Sequence, residues 1–447
     1  MTRFEDYLTQ SVARYPDKTA VVCGDESCSY RQLDEQVTAR AAQWRETLAH
    51  DTGRNIVCLR ALSTIDYLID YLAIHRAGYV AAPLEKDMPD DVFQRVKDEL
   101  ERHTAPEGTA DILYTTGTTG RSKGVMVSHR AIIADAENLI AGQGFTHDLV
   151  FVVNGPLNHI GSLSKIYPVI YLGATLIIVD GMKDLNAFFH AFDYPAKKMA
   201  TFLVPASIRI LIQLAGKRLA AYAEKIDFVE TGAAAISQAD MDTLCRLLPH
   251  SRLYNTYAST ETGIICTYDF NSGQCLAGCL GRPMPHSDIF ITGQGLIACK
   301  GDTLMTGYIG DPERTSSVLK DGVIYTSDMG QIDEEDRLHL RGREDDVINI
   351  GGFKVAPTEV EDAVMAFEGV RDCVCIPVEH RIMGTALKML VVMNDGCTLD
   401  KRTLARWLKT RLETYKIPLL YEQVEAVKRT FNGKIDRKHY SEGEKGR

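Results

Sequence analysis

Short apolar runs bounded by glycine or proline alternate with amphipathic stretches through the first three quarters of the chain. Leu-Ile-Ile-Val at residues 176–179 and Thr-Phe-Leu-Val at residues 201–204 are two such runs, and each is typical of a buried strand flanked by helices. Periodicity alone also allows a turn of fully buried helix at these positions. The alternation predicts an α/β fold with a large layered α/β N-terminal domain.

Residues 85–107 are rich in charge, and Val92, Phe93, Val96 and Leu100 repeat within them at helical spacing. An amphipathic pattern of this kind predicts a surface helix and a linker. It carries no residues that indicate chemistry.

A charged run at residues 341–346, Arg-Gly-Arg-Glu-Asp-Asp, separates two regions that each have their own apolar pattern. Beyond it, Thr358 and Glu361 stand at the spacing of a capping box, which predicts that a helix begins there. A strand over residues 370–377, an apolar run over residues 388–393 and a further helix follow. This order predicts a small α+β C-terminal domain.

Composition places the chain among ordinary globular proteins. Its 447 residues are 45% hydrophobic and 25% charged, unlike disordered, collagenous or disulfide-rich chains. The net charge of −10 gives the whole chain no electrostatic attraction for nucleic acid or anionic lipid. The longest apolar run, residues 166–179, is interrupted by Pro168 and Gly173 and is too short to span a membrane. The first residues lack the pattern of a secretory signal, so we expect a cytoplasmic protein.

The eleven cysteines are scattered without a CxxC pair, which favours reduced, structural thiols over a zinc or redox site. Cys275 with Cys279 and Cys373 with Cys375 are the nearest groups. Neither completes a set of four metal ligands.

The segment with the clearest chemistry is residues 111–124, Asp-Ile-Leu-Tyr-Thr-Thr-Gly-Thr-Thr-Gly-Arg-Ser-Lys-Gly. Its glycines let backbone N–H groups approach phosphate oxygens, its threonines add donors, and Lys123 supplies a cation. It is not a Walker A loop, because Ser122 stands where that motif needs its second glycine and Gly124 follows the lysine. Residues 125–127 predict a second strand, so we expect a hairpin tip before a helix that follows Ser128. A flexible polar turn is the alternative.

This loop resembles the signature of the adenylate-forming superfamily, which includes acyl-CoA and aryl-CoA synthetases, peptide-synthetase adenylation domains and beetle luciferases. Further segments are similar to the motifs of that superfamily, in its order and over nearly the whole chain, with the stand-alone acyl- or aryl-CoA ligases as the nearest group. These segments are Gly-Pro-Leu-Asn-His at 155–159, Thr-Gly-Ala-Ala-Ala at 231–235, Tyr-Asn-Thr-Tyr-Ala-Ser-Thr-Glu at 254–261, Tyr-Thr-Ser-Asp at 325–328, Gly-Arg-Glu-Asp at 342–345, Ile-Gly-Gly-Phe-Lys-Val at 350–355 and Asn-Gly-Lys-Ile-Asp-Arg at 432–437.

The resemblance implies an AMP-forming acid:thiol ligase that uses ATP and Mg²⁺. A carboxylate would attack the α-phosphate of ATP and release pyrophosphate, and a thiol would then displace AMP from the acyl-adenylate. Tyr257 would stack on adenine, Asp328 would accept the ribose hydroxyls, and Glu261 beside Thr260 would offer an oxygen ligand to Mg²⁺. The nucleotide-binding residues implied by the matched motifs are Thr115, Thr116, Gly117, Thr118, Thr119, Gly120, Lys123, Gly232, Ala233, Ala234, Asn255, Tyr257, Asp328 and Arg343.

The same resemblance makes Lys434 the catalytic lysine, because a mobile cation there would stabilise charge that develops on the substrate carboxylate and bridging oxygens. Taken alone, Lys434 reads as an ordinary exposed lysine of an Asn-Gly turn. Asp345 coincides with the superfamily's hinge, although a charge in a solvated linker is the simpler interpretation. The implied domains are residues 1–342 with the ATP and acyl pocket, a hinge at 343–346, and a mobile small domain at 347–447. Gly351 and Gly352 would line the thiol tunnel.

His159 indicates the substrate class. Amino-acid-activating members carry an aspartate at this position to pair with the substrate ammonium, whereas a neutral imidazole offers no counter-charge. A fatty or aryl acid is therefore favoured over an α-amino acid. A packed core histidine with satisfied nitrogens is the alternative.

The acceptor thiol is either free CoA or the phosphopantetheine of a separate acyl carrier protein, with CoA placed first. A catalytically silent nucleotide-binding protein is the rival from another class. Three departures from the family pattern stand out: the stretch between residues 83 and 112 is short, which abbreviates the N-terminal lobe, Ala258 replaces a glycine, and Asn349 replaces a lysine. The physiological acid, its chain length, the pathway and the oligomeric state do not follow from the sequence.

Overall fold

The computed structural model describes residues 2–49, 53, 55–116, 122–350, 353–380, 384–430, 434–437 and 439–440, with the backbone alone at 116, 122 and 384. Its helices are α1 (Asp6–Arg14), α2 (Tyr30–Leu48), α3 (Ile65–Ala77), α4 (Asp90–Leu100), α5 (His129–Gln143), α6 (Ile160–Leu163), α7 (Ile166–Leu172), α8 (Leu185–Ala191), α9 (Pro205–Ala220), α10 (Gln238–Leu247), α11 (Pro312–Val318), α12 (Pro357–Met365) and α13 (Lys401–Lys409).

The strands alternate with these helices up to α10 and follow one another more closely afterwards. They are β1 (Thr19–Cys23), β2 (Glu26–Ser29), β3 (Ile56–Arg60), β4 (Val80–Leu84), β5 (Thr109–Thr116), β6 (Ser122–Ser128), β7 (Val150–Val153), β8 (Thr175–Ile178), β9 (Met199–Phe202), β10 (Ile226–Gly232), β11 (Arg252–Ser259), β12 (Gly263–Asp269), β13 (Cys279–Pro283), β14 (Ser287–Ile291), β15 (Leu296–Gly301), β16 (Gly307–Tyr308), β17 (Leu319–Lys320), β18 (Val323–Ile332), β19 (Leu338–Arg343), β20 (Ile348–Ile350), β21 (Phe353–Val355), β22 (Val370–His380), β23 (Gly384–Met393) and β24 (Leu420–Gln423). Two 3₁₀ turns span Glu344–Asp346 and Thr414–Lys416.

Two sheets build the large domain. The central sheet has the order β14-β15-β18-β19-β13-β12-β11-β10-β9-β7-β8-β1-β2, and the N-terminal sheet has the order β16-β6-β5-β4-β3. Within the central sheet β8, β7, β9, β10 and β11 run parallel to one another, so their carboxyl ends meet at one edge. A hydrophobic core that includes Phe4, Phe151, Tyr167 and Phe228 fills the space between helices and sheets.

The small domain follows β19. Its sheet has the order β22-β23-β24, and α12 and α13 pack on it through a separate core that includes Val360, Val364, Leu404 and Leu408. The predicted division into a large α/β domain and a small α+β domain is confirmed. None of the helices in the described residues is long and apolar enough to cross a membrane.

Most predicted elements are present where the sequence patterns place them. The run at 176–179 matches β8 to within one residue, and the run at 201–204 overlaps the end of β9, which begins and ends two residues earlier. The surface helix is α4, and β5 pairs with β6 as an antiparallel hairpin. The Ser128 hydroxyl accepts a hydrogen bond from Ala131 N and begins α5. Local periodicity was sufficient for these elements.

The prediction of a capping box at Thr358 is wrong. The N-cap is Ala356, two residues before Thr358, and helix α12 begins at Pro357 with no side-chain cap. The Glu361 carboxylate is not free to reach back, because it is buried and accepts hydrogen bonds from Arg437 Nη1 and Cys375 N. A proline at the first helical position has no N–H that needs a partner, which explains why the helix begins there.

Candidate active site

The parallel strands bring three of the predicted segments to one edge of the central sheet. Residues 154–159 follow β7, Gly232 ends β10 and leads into Ala233, and Thr260 and Glu261 follow β11. Ligands of open α/β sheets bind outside the carboxyl ends of parallel strands, where loops from neighbouring strands leave a crevice. The topology therefore explains how residues about 100 positions apart share one site.

The turn at Gly232 and Ala233 has little room for side chains. A Cβ placed on Gly232 would lie 2.9 Å from the backbone oxygen of Thr256, so only glycine fits there without a shift. Ala233 has φ of +67°, a left-handed conformation that costs an L-residue energy. Backbone strain of this kind concentrates at ligand sites. The turn presents backbone rather than bulky side chains to the crevice.

Tyr257, Asp328 and Arg343 form a connected group beside this turn. The Tyr257 hydroxyl donates a 2.7 Å hydrogen bond to Asp328 Oδ2, and Arg343 Nε lies 3.3 Å from Asp328 Oδ1. Asp328 and Arg343 are cross-strand partners in β18 and β19. Burial, followed by the charge of Asp328, raises the pKa of Tyr257 well above its ordinary value, so its hydroxyl remains a donor. The group can fix a carboxylate for diol recognition.

Glu261 and Lys123 are joined through Tyr308. The Tyr308 hydroxyl donates a 3.0 Å hydrogen bond to Glu261 Oε1, and Lys123 Nζ lies 5.1 Å from the centre of the Tyr308 ring. Arg314 lies over the same ring at 5.8 Å. Burial lowers the pKa of Lys123, and the charge of Glu261 opposes that shift. Two cations and one carboxylate therefore surround one tyrosine beside the β5–β6 hairpin.

Tyr308 and Arg314 were missed by the sequence analysis. Tyr308 pairs with Val125 because β16 joins the edge of the N-terminal sheet beside β6. That pairing joins positions far apart in the chain, and no local pattern signals it. Arg314 lies on α11. That helix is anchored beside Tyr308 because Tyr308 N donates a hydrogen bond to the Thr315 hydroxyl.

Lys434 of the small domain approaches the same crevice. Its side chain remains open to solvent, yet the protein around the ammonium withdraws enough water to lower its pKa, an effect that Arg343 reinforces and Asp328 and Glu261 oppose. Burial and then the charge of Lys434 lower the pKa of His159 to about 4. The imidazole is therefore neutral near pH 7. These influences indicate that Lys434 lies near two loop residues, His159 and Glu261, and near Asp328 and Arg343 at the cross-strand pair of β18 and β19.

Other predicted residues have different surroundings. The Asn255 side-chain amide donates a 2.9 Å hydrogen bond to the backbone oxygen of Cys279 and is buried, so this amide anchors β13. Thr115 and Thr116 end β5. Asp345 lies half-exposed in the 3₁₀ turn, 4.0 Å from Arg343 Nη2. Gly117, Thr118, Thr119 and Gly120 of the loop, and Gly351 and Gly352, lie outside the described residues.

The donor set near Glu261 fits Mg²⁺ only together with a phosphate ligand. Within the described part of the chain, no group of three or more His, Cys, Asp or Glu side chains could hold a metal ion. Mg²⁺ is usually held by one or two carboxylates together with substrate phosphates and water rather than by an all-protein cage. Glu261, with one oxygen oriented by Tyr308, fits such a partial site.

Comparison with known proteins identifies the family. The model of the AMP-binding enzyme family matches residues 8–101 and 90–309, and that of the AMP-binding enzyme C-terminal domain matches residues 359–434. The chain therefore belongs to the AMP-binding enzyme family, which confirms the adenylate-forming superfamily expected from the motifs.

Among curated proteins, the chain is 31% identical over 356 residues to a long-chain-fatty-acid–CoA ligase of Bacillus subtilis, a match that covers 76% of this chain and 62% of that one. It is 28% identical over 347 residues to a feruloyl-CoA synthase of Amycolatopsis sp., covering 74% and 69%. The chain spans less than two thirds of the length of several such relatives. A putative long chain fatty acid–CoA ligase, VraA of Staphylococcus epidermidis, matches end to end at 24% identity, covering 98% of each chain.

Solved structures share the fold. The ATP-bound structure of MatB from Rhodopseudomonas palustris superposes with a TM-score of 0.88 at 23% identity, and the match covers 100% of this chain and 99% of that one. At this level of identity the likeness concerns the arrangement of the two domains and their sheets.

Proposed function

We propose that the protein is an AMP-forming acid:thiol ligase that activates a carboxylic acid with ATP and transfers the acyl group to CoA. The observation that carries the proposal is the connected group of Tyr257, Asp328 and Arg343 beside the Gly232–Ala233 turn. Lys434 of the small domain lies near enough to this group for Arg343 and Asp328 to influence its pKa. A silent scaffold would not need a lysine whose pKa is lowered by desolvation beside this group.

In the first step the acid's carboxylate oxygen attacks the α-phosphorus of ATP and pyrophosphate leaves. Phosphoryl and adenylyl transfers gain most from positioning and from stabilising charge on oxygens. Lys434 would neutralise charge on the attacking carboxylate and the α-phosphate, while Lys123 and the phosphate loop, with Thr115, Thr116, Gly117, Thr118, Thr119 and Gly120, would hold the outer phosphates. Mg²⁺ bound to Glu261 and those phosphates would supply further charge neutralisation.

The nucleoside would lie along the Gly232–Ala233–Ala234 turn. Tyr257 stands next to that turn and holds Asp328 through its hydroxyl, which leaves Asp328 oriented to accept the ribose hydroxyls, with Arg343 beside it. Thr260 precedes Glu261 in the same loop and would contact the α-phosphate. Asn255 supports the site from behind through Cys279.

The acid itself would lie beside His159. Because the pKa of His159 is lowered to about 4, the imidazole carries no charge near pH 7 and provides no ion pair for a substrate ammonium. This supports a fatty or aryl acid over an α-amino acid.

In the second step a thiol displaces AMP from the acyl-adenylate. We place residues 1–342 in the large domain, the hinge at 343–346 with Asp345 as its pivot, and residues 347–447 in the small domain, which would rotate so that Gly351 and Gly352 replace Lys434 at the crevice. The curated relatives named CoA ligases support CoA as the acceptor, with a phosphopantetheine-bearing carrier protein as the alternative. We place the enzyme in the cytoplasm.

Carboxylate-dependent ATP–pyrophosphate exchange across fatty, aryl and amino acids tests the proposal. Exchange with one acyl or aryl class is the expected result, and product formation with CoA compared with holo carrier protein then identifies the acceptor. Folded protein that binds ATP but shows no exchange with any acid contradicts the proposed activity.

Lys434→Ala tests whether the two orientations of the small domain serve different half-reactions. The variant is expected to lose adenylate formation while thiol transfer from a supplied acyl-adenylate continues, since that step uses the other domain orientation. Equal loss of both half-reactions contradicts this assignment.

A further inference from the structure

We propose that Arg314 binds the outer phosphates of ATP together with Lys123 and recognises the pyrophosphate that leaves, an inference that rests on the proposed function. Lys123 Nζ lies 5.1 Å from the centre of the Tyr308 ring, and the guanidinium carbon of Arg314 lies 5.8 Å from it. The Tyr308 hydroxyl donates a 3.0 Å hydrogen bond to Glu261 Oε1. One ring therefore gathers both cations beside the carboxylate proposed to hold Mg²⁺.

Helix α11 holds the backbone of Arg314 in place next to this ring. Tyr308 N donates a 2.9 Å hydrogen bond to the Thr315 hydroxyl, which itself donates at 2.8 Å to the backbone oxygen of Asp311. Asp311 Oδ1 accepts a 2.9 Å hydrogen bond from Arg314 N at the start of the helix. A Cβ placed on Gly307 would lie 2.9 Å from Thr315 Cγ2, so α11 and β16 are in close contact. These contacts position Arg314 through its backbone and through Thr315.

The two cations are close to each other and within reach of a dissolved ligand. Tyr308 is 4% exposed, whereas Lys123, Arg314 and Glu261 are each half-buried. Burial lowers the pKa of Lys123, an effect that Glu261 opposes and that the charge of Arg314 reinforces. Cations that repel one another in the absence of ligand are favourable beside a multiply charged anion, which neutralises both. The group therefore suits a polyphosphate.

Pyrophosphate is the anion that this arrangement fits in the proposed reaction. As the acid's oxygen bonds to the α-phosphorus, the bond from that phosphorus to the bridging oxygen breaks, and its electron pair leaves with pyrophosphate. A guanidinium donates parallel N–H groups to two phosphate oxygens, whereas an ammonium acts as a point charge. Arg314 would thus hold the outer phosphates in ATP and stabilise the charge that develops on the leaving group. AMP lacks these phosphates, so its binding should not depend on Arg314.

The test compares the binding of α,β-methylene ATP with that of AMP, each with Mg²⁺, by calorimetric titration of the full chain. Arg314→Gln removes the charge and is expected to weaken binding of the ATP analogue about tenfold or more while AMP binding stays the same. Arg314→Lys keeps the charge without the paired N–H groups and is expected to be intermediate. The KM for pyrophosphate in the exchange reaction is expected to rise in the same order, while thiol transfer from a supplied acyl-adenylate keeps the wild-type rate.

Arg218→Gln is the matched control. The guanidinium carbon of Arg218 also lies over an aromatic ring, 4.4 Å from the centre of Phe189, and the variant is expected to bind both nucleotides as the wild type does. An unchanged ratio of the two affinities in Arg314→Gln overturns the inference, as does an equal loss of both affinities, which would indicate a structural role.

Failure of the proposed function gives a different pattern. Wild-type protein that binds both nucleotides but exchanges pyrophosphate with no acid contradicts the proposed activity, and the affinity ratio still decides the role of Arg314. Wild-type protein that binds neither nucleotide contradicts the proposed function and this inference with it.

Discussion

Charged and buried residues in the crevice shift one another's pKa values. Lys434 has a lowered pKa because it is partly desolvated and faces Arg343, and His159 has a pKa of about 4 because it is buried near Lys434. A neutral histidine beside a lysine suits a site where one cation is needed beside a carboxylate. The charge of that lysine is present below its pKa and is lost as pH rises through it.

Lys434→Arg tests this directly. Wild-type pyrophosphate exchange is expected to decline on the alkaline side below pH 10.5, the ordinary lysine value, because the charged form disappears. A guanidinium stays charged there, so the arginine variant is expected to retain its own, lower rate to higher pH. Adenylation rates measured from pH 6 to the highest pH that leaves both proteins folded make the comparison. Superimposable normalised profiles contradict the assignment.

The strained turn gives a second residue-scale prediction. Since Ala233 has φ of +67°, Ala233→Gly relieves the strain and is expected to raise the free energy of unfolding by up to about 1 kcal/mol. Ala234→Gly is the control, because Ala234 is not among the residues with positive φ; it is expected to lower stability by ~0.4–1 kcal/mol. The free energy of unfolding of both variants is measured by urea unfolding. A loss of stability in both contradicts the role of strain at Ala233.

At the scale of elements, the sequence predicted those helices and strands whose signals lie within a few residues of the element. Two apolar runs around a Gly- and Thr-rich loop indicated the β5–β6 hairpin, and Ser128 indicated the start of α5, because each signal lies within a few residues of the element. The capping box failed because Arg437, a distant residue, binds Glu361. Tyr308 was missed for the same reason, since only the fold brings β16 to β6. The placement of Lys434 came from the family resemblance and from no local pattern.

Helix α5 also supports β12, the strand that follows Glu261. Buried Asp135 accepts a 2.8 Å hydrogen bond from Ile264 N through Oδ1, while its Oδ2 has no partner in the described part of the chain. Burial raises the pKa of Asp135 to about 8, although the Ile264 N–H and the charge of Lys165 oppose that shift. The carboxyl is therefore mostly protonated in the folded protein at neutral pH.

Asp135→Asn is expected to change the pH dependence of stability. A carboxyl whose pKa is raised on folding favours the folded state most at pH below its ordinary value of 3.8, and that contribution is lost as pH rises towards about 8. Asparagine keeps an acceptor for Ile264 N and does not ionise. The variant is therefore expected to gain stability relative to the wild type between pH 5 and pH 9, measured by urea unfolding at each pH. A difference in the free energy of unfolding between variant and wild type that stays constant over this pH range contradicts the raised pKa of Asp135.

At the scale of the whole molecule, one chain of ion pairs connects the two domains. Arg209 on α9 binds Asp240 of α10 at 3.0 Å and Asp372 of β22 at 3.2 Å. Asp372 also accepts hydrogen bonds from Arg429 Nη2 at 2.8 and 2.9 Å. The backbone of Arg429 forms an isolated antiparallel β-bridge with that of Ile435, the residue after Lys434. The chain thus links the large domain to the segment that carries Lys434, the lysine we propose to be catalytic.

Arg209→Gln is expected to loosen this domain contact. The groups are only partly buried, so the effect on the domain position is about 1 kcal/mol, equivalent to a several-fold loss. Pyrophosphate exchange should fall by that factor, while thiol transfer from a supplied acyl-adenylate stays the same or rises, because only the orientation that presents Lys434 is weakened. Arg218→Gln is the control on the same helix, since Arg218 binds Asn186 within the large domain and should leave both steps unchanged. Equal losses in both half-reactions would mean that Arg209 supports the fold and not the domain position.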